Sequence, residues 1–134
     1  MNHLQVAIEL NPNEIEAYEI LSKIYIMQKR LPQAEAVYKE LTRLDSVNID
    51  HFFALADLAR LQKNWDIAIE YYLEAYRINS MAFKGLEQAL QISLATNKFE
   101  RAEEICELLL EEEPENEKYL ETMRDLALFN NDYD

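Results

Sequence analysis

The chain is expected to be all-α, and three observations predict it. Apolar residues recur at helical spacing, i, i+3, i+4 and i+7, in segment after segment. Similar phrases return every 34 residues with no one-residue slip. The 134 residues hold 1 Gly and 3 Pro, too few for the tight turns of an all-β protein. This length forms one continuous core, and 49% hydrophobic residues are too many for a disordered acidic tail.

The elements follow in order. Helices are expected over 2–10, 14–28, 32–44, 48–62, 66–79, 82–96, 99–112 and 116–129, about eight in all. The first carries Leu4, Val6, Ile8 and Leu10. The second carries Tyr18, Leu21 and Tyr25 with Ile20, Ile24 and Met27. The third opens on Pro32, which a first helical turn tolerates because its N–H is not needed there. Asp66 and Glu100 complement the N-termini of the fifth and seventh helices. Asn48 and Asn116 are placed to cap the fourth and eighth. Asn64 and Asn97 are expected to supply left-handed turn geometry where other chains use Gly.

The repeat is carried by three phrases: Lys29-Arg30-Leu31-Pro32-Gln33-Ala34, Lys63-Asn64-Trp65-Asp66-Ile67-Ala68 and Asn97-Lys98-Phe99-Glu100-Arg101-Ala102. A fourth, Asn131-Asp132-Tyr133-Asp134, keeps the register. Tyr38, Tyr72 and Cys106 follow each alanine by four. Tyr18, Phe52, Leu86 and Leu120 form a further series, then Leu21, Leu55, Ala89 and Met123, then Tyr25, Ala59, Ser93 and Ala127.

This pattern resembles the tetratricopeptide repeat (TPR) family, whose unit is a helix A, a turn and an antiparallel helix B. Tyr18, Leu21, Ser22, Tyr25, Ala34 and Tyr38 fill the signature in the first full unit. Phe52, Leu55, Ala56, Ala68, Tyr72 and Ala75 fill it in the second, and Leu86, Ala102 and Pro114 match in the third. The resemblance implies a right-handed solenoid of stacked helix pairs. Its full units span 15–48, 49–82 and 83–116, with a partial helix B over 1–14 and a partial helix A over 117–134. Ala34, Ala68 and Ala102 let helices A and B approach closely, against the small residues Ser22 and Ala56. In the third unit Leu90 and Ser93 stand where the family has a small residue and a Tyr. That reads as a volume exchange across the contact, or as an opening or twisting of that unit.

The ends fall inside units, and their helices keep apolar outer faces: Leu4, Val6, Ile8 and Leu10 at one end, Leu120, Met123, Leu126, Leu128 and Phe129 at the other. The expectation is a fragment of a longer repeat protein, or end-to-end association of copies through these terminal helices.

Function classes are narrowed mainly by exclusion. The chain holds 26 Asp+Glu against 13 Lys+Arg, a net charge of −13, which disfavours phosphate backbones, so no nucleic-acid partner is expected. No apolar run approaches a membrane span, and the first residues lack the plan of a secretion signal, which points to the cytoplasm. His3 and His51 lack metal-ligand spacing, so no metal is expected, and His51 is read as a surface residue. Cys106 is expected to be a buried structural thiol. The eight tyrosines are read mostly as core, and the one glycine, Gly85, makes no phosphate loop. No catalytic set is visible, and neither an enzyme nor a cofactor is expected.

In this family helix A lines the concave face. The resemblance therefore places a peptide site on Glu19, Lys23, Asp50, Phe53, Asp57, Arg60, Lys84, Gln88 and Gln91, with an apolar spot at Phe53. Relatives that clamp the acidic C-termini of heat-shock chaperones need a basic and amide set where this chain has Glu19, Lys23, Ala54, Lys84 and Gln88. Only Lys84 fits, so the face suits an amphipathic or partly basic peptide better than an acidic tail. Residues 103–115 hold seven Glu, an acidic ridge read as a solubilising face or as a dock for a basic partner. The resulting expectation is a non-catalytic protein-interaction module, a scaffold or adaptor. The alternatives are a TPR chaperone of a secreted protein, of the type III secretion class, and a regulatory TPR segment attached to an enzyme or export machine.

Overall fold

A computed structural model describes residues 15–131 of the chain. The helix expected over 2–10, the apolar residues on it, His3 and the last three residues of the fourth phrase lie outside the described residues. Seven α helices make up the described fold, without a strand among the described residues: α1 Ile15–Met27, α2 Leu31–Leu44, α3 Ile49–Leu61, α4 Trp65–Ile78, α5 Phe83–Ala95, α6 Phe99–Glu112 and α7 Glu117–Asn131. A 3-10 turn, Ser80–Ala82, precedes α5. The bounds agree with the expected ones to within one or two residues, because the apolar period and the turn phrases mark both ends of each helix.

The turns between α1 and α2, α3 and α4, and α5 and α6 are built alike. Lys29, Lys63 and Asn97 have φ of 59°, 61° and 60°. In each turn the next residue's N–H reaches back five residues, Arg30 to Tyr25 (2.8 Å), Asn64 to Ala59 (2.8 Å) and Lys98 to Ser93 (2.8 Å). This is the Schellman closure of a helix C-terminus, which needs one left-handed residue. The left-handed position in the second turn is thus Lys63 and not Asn64, whose φ is −88°. The expectation for Asn97 holds, and that for Asn64 is corrected by one residue.

Asn48 and Asn116 cap as expected, each through its side-chain oxygen, to Asp50 N (3.0 Å) and to Lys118 N (3.0 Å). Ala82 stands at the corresponding place before α5 and has no side chain to cap with. There Asn79, three residues earlier, accepts from Met81 N (2.9 Å) and starts the 3-10 turn that leads into α5.

Consecutive helices pack on one another along the chain, giving stacked antiparallel pairs. Ala34, Ala68 and Ala102 are fully buried at the crossings, as are Ser22 and Ala56. Ser22 and Ser93 are buried without being orphaned, since each hydroxyl donates to a carbonyl of its own helix, Glu19 O (2.7 Å) and Ala89 O (2.8 Å). Leu90 is buried beside Ser93, so large replaces small and small replaces large within one core. That core runs from α3 through α7. A smaller cluster of Leu21, Val37 and Leu41 joins α1 to α2.

Two expectations about exposure are corrected. His51 is not a surface residue but is 4% exposed, because its position on α3 faces the preceding pair. Leu126 on α7 turns inward and is buried, while Leu120 and Leu128 remain exposed.

Candidate functional site

The helices α1, α3, α5 and α7 form one layer, joined by side chains that lie 32 residues apart. His51 Nε2 lies 3.9 Å from Glu19 Oε1 and 3.4 Å from Asp45 Oδ2, and it has no hydrogen-bond partner. Phe53 rests on Gly85, and the Tyr119 hydroxyl donates to Glu87. Each pair puts one turn of a helix against the first turn of the next helix in the layer. Glu19 and Phe53, read as peptide-facing, are therefore occupied in part by contacts within the protein. The Phe53 ring is half-buried, tilted against Tyr72 at 6.1 Å between centroids.

Arg60 is held in a network. Its Nη1 donates to Tyr72 Oη (3.3 Å) and Gln88 Oε1 (3.3 Å), and the Tyr72 hydroxyl donates to Asp57 Oδ1 (3.0 Å). Burial pushes the Tyr72 hydroxyl above its ordinary range, and the Arg60 contact partly offsets this. Arg60, Gln88 and Asp57 are thus brought together, bridged by a tyrosine from α4. Lys23, Asp50, Lys84 and Gln91 are exposed along the same layer. The candidate residues stand as one mixed-charge row with Arg60 near its centre.

Two depressions adjoin Arg60. One, of about 450 Å³, lies between the α3–α4 turn and the end of α5, with Trp65, Ile92 and Ala95 as its apolar part and Gln88 and Gln91 at its rim. The other, of about 370 Å³, is lined by Asp57, Arg60, Leu61 and Trp65. Reading helix A positions alone missed Trp65 and Tyr72, because both sit on α4. The pairs at 32-residue spacing did carry a signal, since a Gly opposite a Phe, or a Glu opposite a Tyr, is complementary in size or polarity.

The other layer, α2, α4 and α6, is laced by polar contacts. Lys98 Nζ meets Asp66 Oδ1 (2.8 Å), Arg101 pairs with Glu70, and the Tyr76 hydroxyl donates to Glu112 Oε1 (2.7 Å). The bond to Glu112, with burial second, pushes the Tyr76 hydroxyl up to about 12. Part of the acidic ridge is thereby engaged: Glu112 with Tyr76, Glu104 with Arg101 (3.6 Å), and Glu113 with Asn116 (3.0 Å). Cys106 is fully buried and donates to the Tyr119 carbonyl (3.2 Å). Burial first, then the charge of Glu107, pushes its thiol up to about 11, where it is a poor nucleophile at neutral pH. Among the described residues no group of three or more His, Cys, Asp and Glu is placed to hold a metal ion. No described helix is long and apolar enough to cross a membrane.

No family model matches the sequence, and no curated protein does. Solved structures do resemble the fold. A crystal structure of MamA superposes with a TM-score of 0.67 at 15% identity, over 96% of this chain and 75% of that one. The Yersinia enterocolitica type III secretion chaperone SycD, in complex with a peptide of the translocator YopD, gives 0.61 at 16%, over 86% and 93%. The first TPR of Spaghetti (RPAP3), bound to an HSP90 peptide, gives 0.60 at 20%, over 86% and 91%. Helix order, the recurring left-handed turn and these superpositions agree that this chain folds as a tetratricopeptide-repeat solenoid.

Proposed function

We propose that the chain is a non-catalytic interaction module, a scaffold or adaptor that holds a peptide or partner helix against the layer formed by α1, α3, α5 and α7. The observation that carries this reading is the row itself. Lys23, Asp50, Lys84 and Gln91 project from successive helices of one layer, beside a depression with an apolar base at Trp65 and Ile92. Exposed cations and anions alternate along it, and Ile20 adds apolar surface. Such a face suits an extended amphipathic or partly basic segment, with the amides of Gln88 and Gln91 available to its backbone. We place the units at 15–48, 49–82 and 83–116, so the row samples one helix A from each and continues on α7.

Two solved structures of this fold hold peptides, SycD that of YopD and the RPAP3 domain that of HSP90. Their likeness favours peptide binding in kind and leaves the partner's chemistry to this chain's own residues. A chaperone for a secreted protein is the second reading, favoured by the extent to which the chain covers SycD. A regulatory segment attached to an enzyme or export machine is the third. A cytoplasmic setting, the absence of nucleic-acid partners and end-to-end association through the exposed Leu120 and Leu128 of α7 belong to the same proposal. A light-scattering mass equal to the monomer at high concentration refutes the last of these.

The test is a pull-down with Lys23→Glu, Lys84→Glu and Gln91→Arg combined. These side chains are exposed and their loss leaves the core intact. Partners bound on this layer are expected to be lost, and survival of every partner refutes the site.

A further inference from the structure

The edge of the solenoid where α1, α3 and α5 turn into α2, α4 and α6 is chemically unlike the rest. Residues 24–31, 58–65 and 92–99, which form its three turns, contain no acid in a chain that has 26 Asp+Glu. They contain Lys29, Arg30, Arg60, Lys63 and Lys98. Of these, Arg60 is tied to Asp57 and Tyr72 and Lys98 to Asp66. The side chains of Lys29, Arg30 and Lys63 make no hydrogen bond or ion pair among the described residues and are exposed. Beside them stand the most solvent-exposed apolar residues of these turns, Met27 at 83% and Leu61 at 66%.

The lysines are also costly to hold. A non-glycine residue in the left-handed region carries a penalty of about 1 kcal/mol, and Asn97 shows that the same turn accepts asparagine, which tolerates it better. Lysine therefore stands twice at a place that backbone energetics would give to Gly or Asn. Stacked repeats bring the turns side by side along one edge. That adjacency is visible where Arg60 of one turn and Ala95 and Thr96 of the next line a common depression.

We propose that this turn edge is a second interaction surface, distinct from the row of helix A residues, and that it takes an acidic amphipathic protein segment. Its Asp and Glu would meet Lys29, Arg30 and Lys63, and its bulky apolar side chains would cover Met27 and Leu61 and enter the depression lined by Leu61 and Trp65. Charge complementarity selects the sign of the partner. The depression selects a peptide over a bilayer, because side chains fill a hollow and a flat lipid surface does not. Asp66 is paired with Lys98 and Asp57 with Arg60 (3.9 Å) and Tyr72, while Lys29, Arg30 and Lys63 have no side-chain partner among the described residues, so the turns present uncompensated positive charge.

The experiment uses the whole chain and two synthetic labelled peptides of identical Leu and Trp positions, one with Glu and one with Lys between them. Fluorescence anisotropy is expected to show binding of the Glu peptide alone, weakening by roughly tenfold or more as salt rises from about 0.05 to about 0.5 M. Lys29→Asn with Arg30→Gln and Lys63→Asn removes the charge while keeping left-handed geometry, and weakens binding by roughly tenfold or more. Met27→Ser with Leu61→Ser does the same. Lys23→Glu with Lys84→Glu, on the other row, leaves it unchanged, which separates failure here from failure of the helix-row reading. Equal binding of the two peptides, indifference to the turn variants, or preference for phosphatidylserine vesicles over the Glu peptide overturns the proposal.

Discussion

A β-carbon on Gly85 would lie 2.5 Å from Cε1 of Phe53. The one glycine of the chain thus sits in the first turn of α5 because the Phe53 ring of α3 occupies the space beside it. Its φ is not positive, so the requirement is for room and not for backbone freedom.

Gly85→Ala is expected to destabilise. Glycine to alanine inside a helix ordinarily stabilises by about 0.5–1 kcal/mol. Here the methyl displaces Phe53 and approaches Tyr72 Cδ1, at 3.1 Å, and overpacking of this kind costs about 1–3 kcal/mol. Urea unfolding reads the net sign. In a double-mutant cycle Phe53→Leu is expected to recover part of the loss, and additivity of the two changes would contradict the contact.

The turn lysines give the opposite sign. Lys29→Gly and Lys63→Gly each relieve a left-handed side chain and are expected to raise stability by about 1 kcal/mol. Asn97→Gly should gain less, since asparagine is already tolerated there. Thermal midpoints of the three variants check the order. A fall for Lys63→Gly would show that its side chain makes a stabilising contact.

Helix periods and turn phrases made the backbone legible: seven helices stand where the apolar spacing put them, with caps at Asn48 and Asn116. What did not read out was which side chains meet between neighbouring pairs. His51 looked like a lone polar residue on a helix, yet it is buried against Tyr38 and the carboxylates of Asp45 and Glu19. Position within a repeat tells which face a side chain takes, whereas its partner depends on the residue 32 positions away. The candidate site was legible as a row for the same reason. Its central network was not, because Tyr72 reaches Arg60 and Asp57 from the other layer.

Alkaline pH should unfold the protein ahead of a typical helical domain. The folded Cys106 thiol titrates near 11 against 9.0 for an unperturbed one, and Tyr76 near 12 against 10.0. Folded values above unfolded ones mean stability that is complete below the unfolded pKa and lost as pH rises through the folded one. The thiol's share, on the order of 2 kcal/mol, should therefore disappear between about pH 9 and 11. Denaturant midpoints across that range measure it, and Cys106→Ala should flatten the slope while lowering the plateau. Reaction of the native thiol with a disulfide reagent at pH 8 should be slow and should accelerate on unfolding. Fast labelling of folded protein would show that Cys106 is accessible.

Glu87 links the helix row to the core behind it. The Tyr119 side chain is 1% exposed, its hydroxyl donates to the Glu87 carboxylate, and burial followed by that bond pushes the phenol above its ordinary range. Removing the acceptor leaves a hydroxyl without a partner, at a cost of about 1–3 kcal/mol, whereas removing donor and acceptor together is milder. Glu87→Ala is thus expected to destabilise more than the double change with Tyr119→Phe. The order matters for function, because a peptide that recruited Glu87 would have to break the same bond. If Glu87→Ala weakens partner binding while the Tyr119→Phe variant binds more tightly than the wild type, the carboxylate is shared between core and partner. If both leave binding unchanged, Glu87 serves only to fasten α7 to α5.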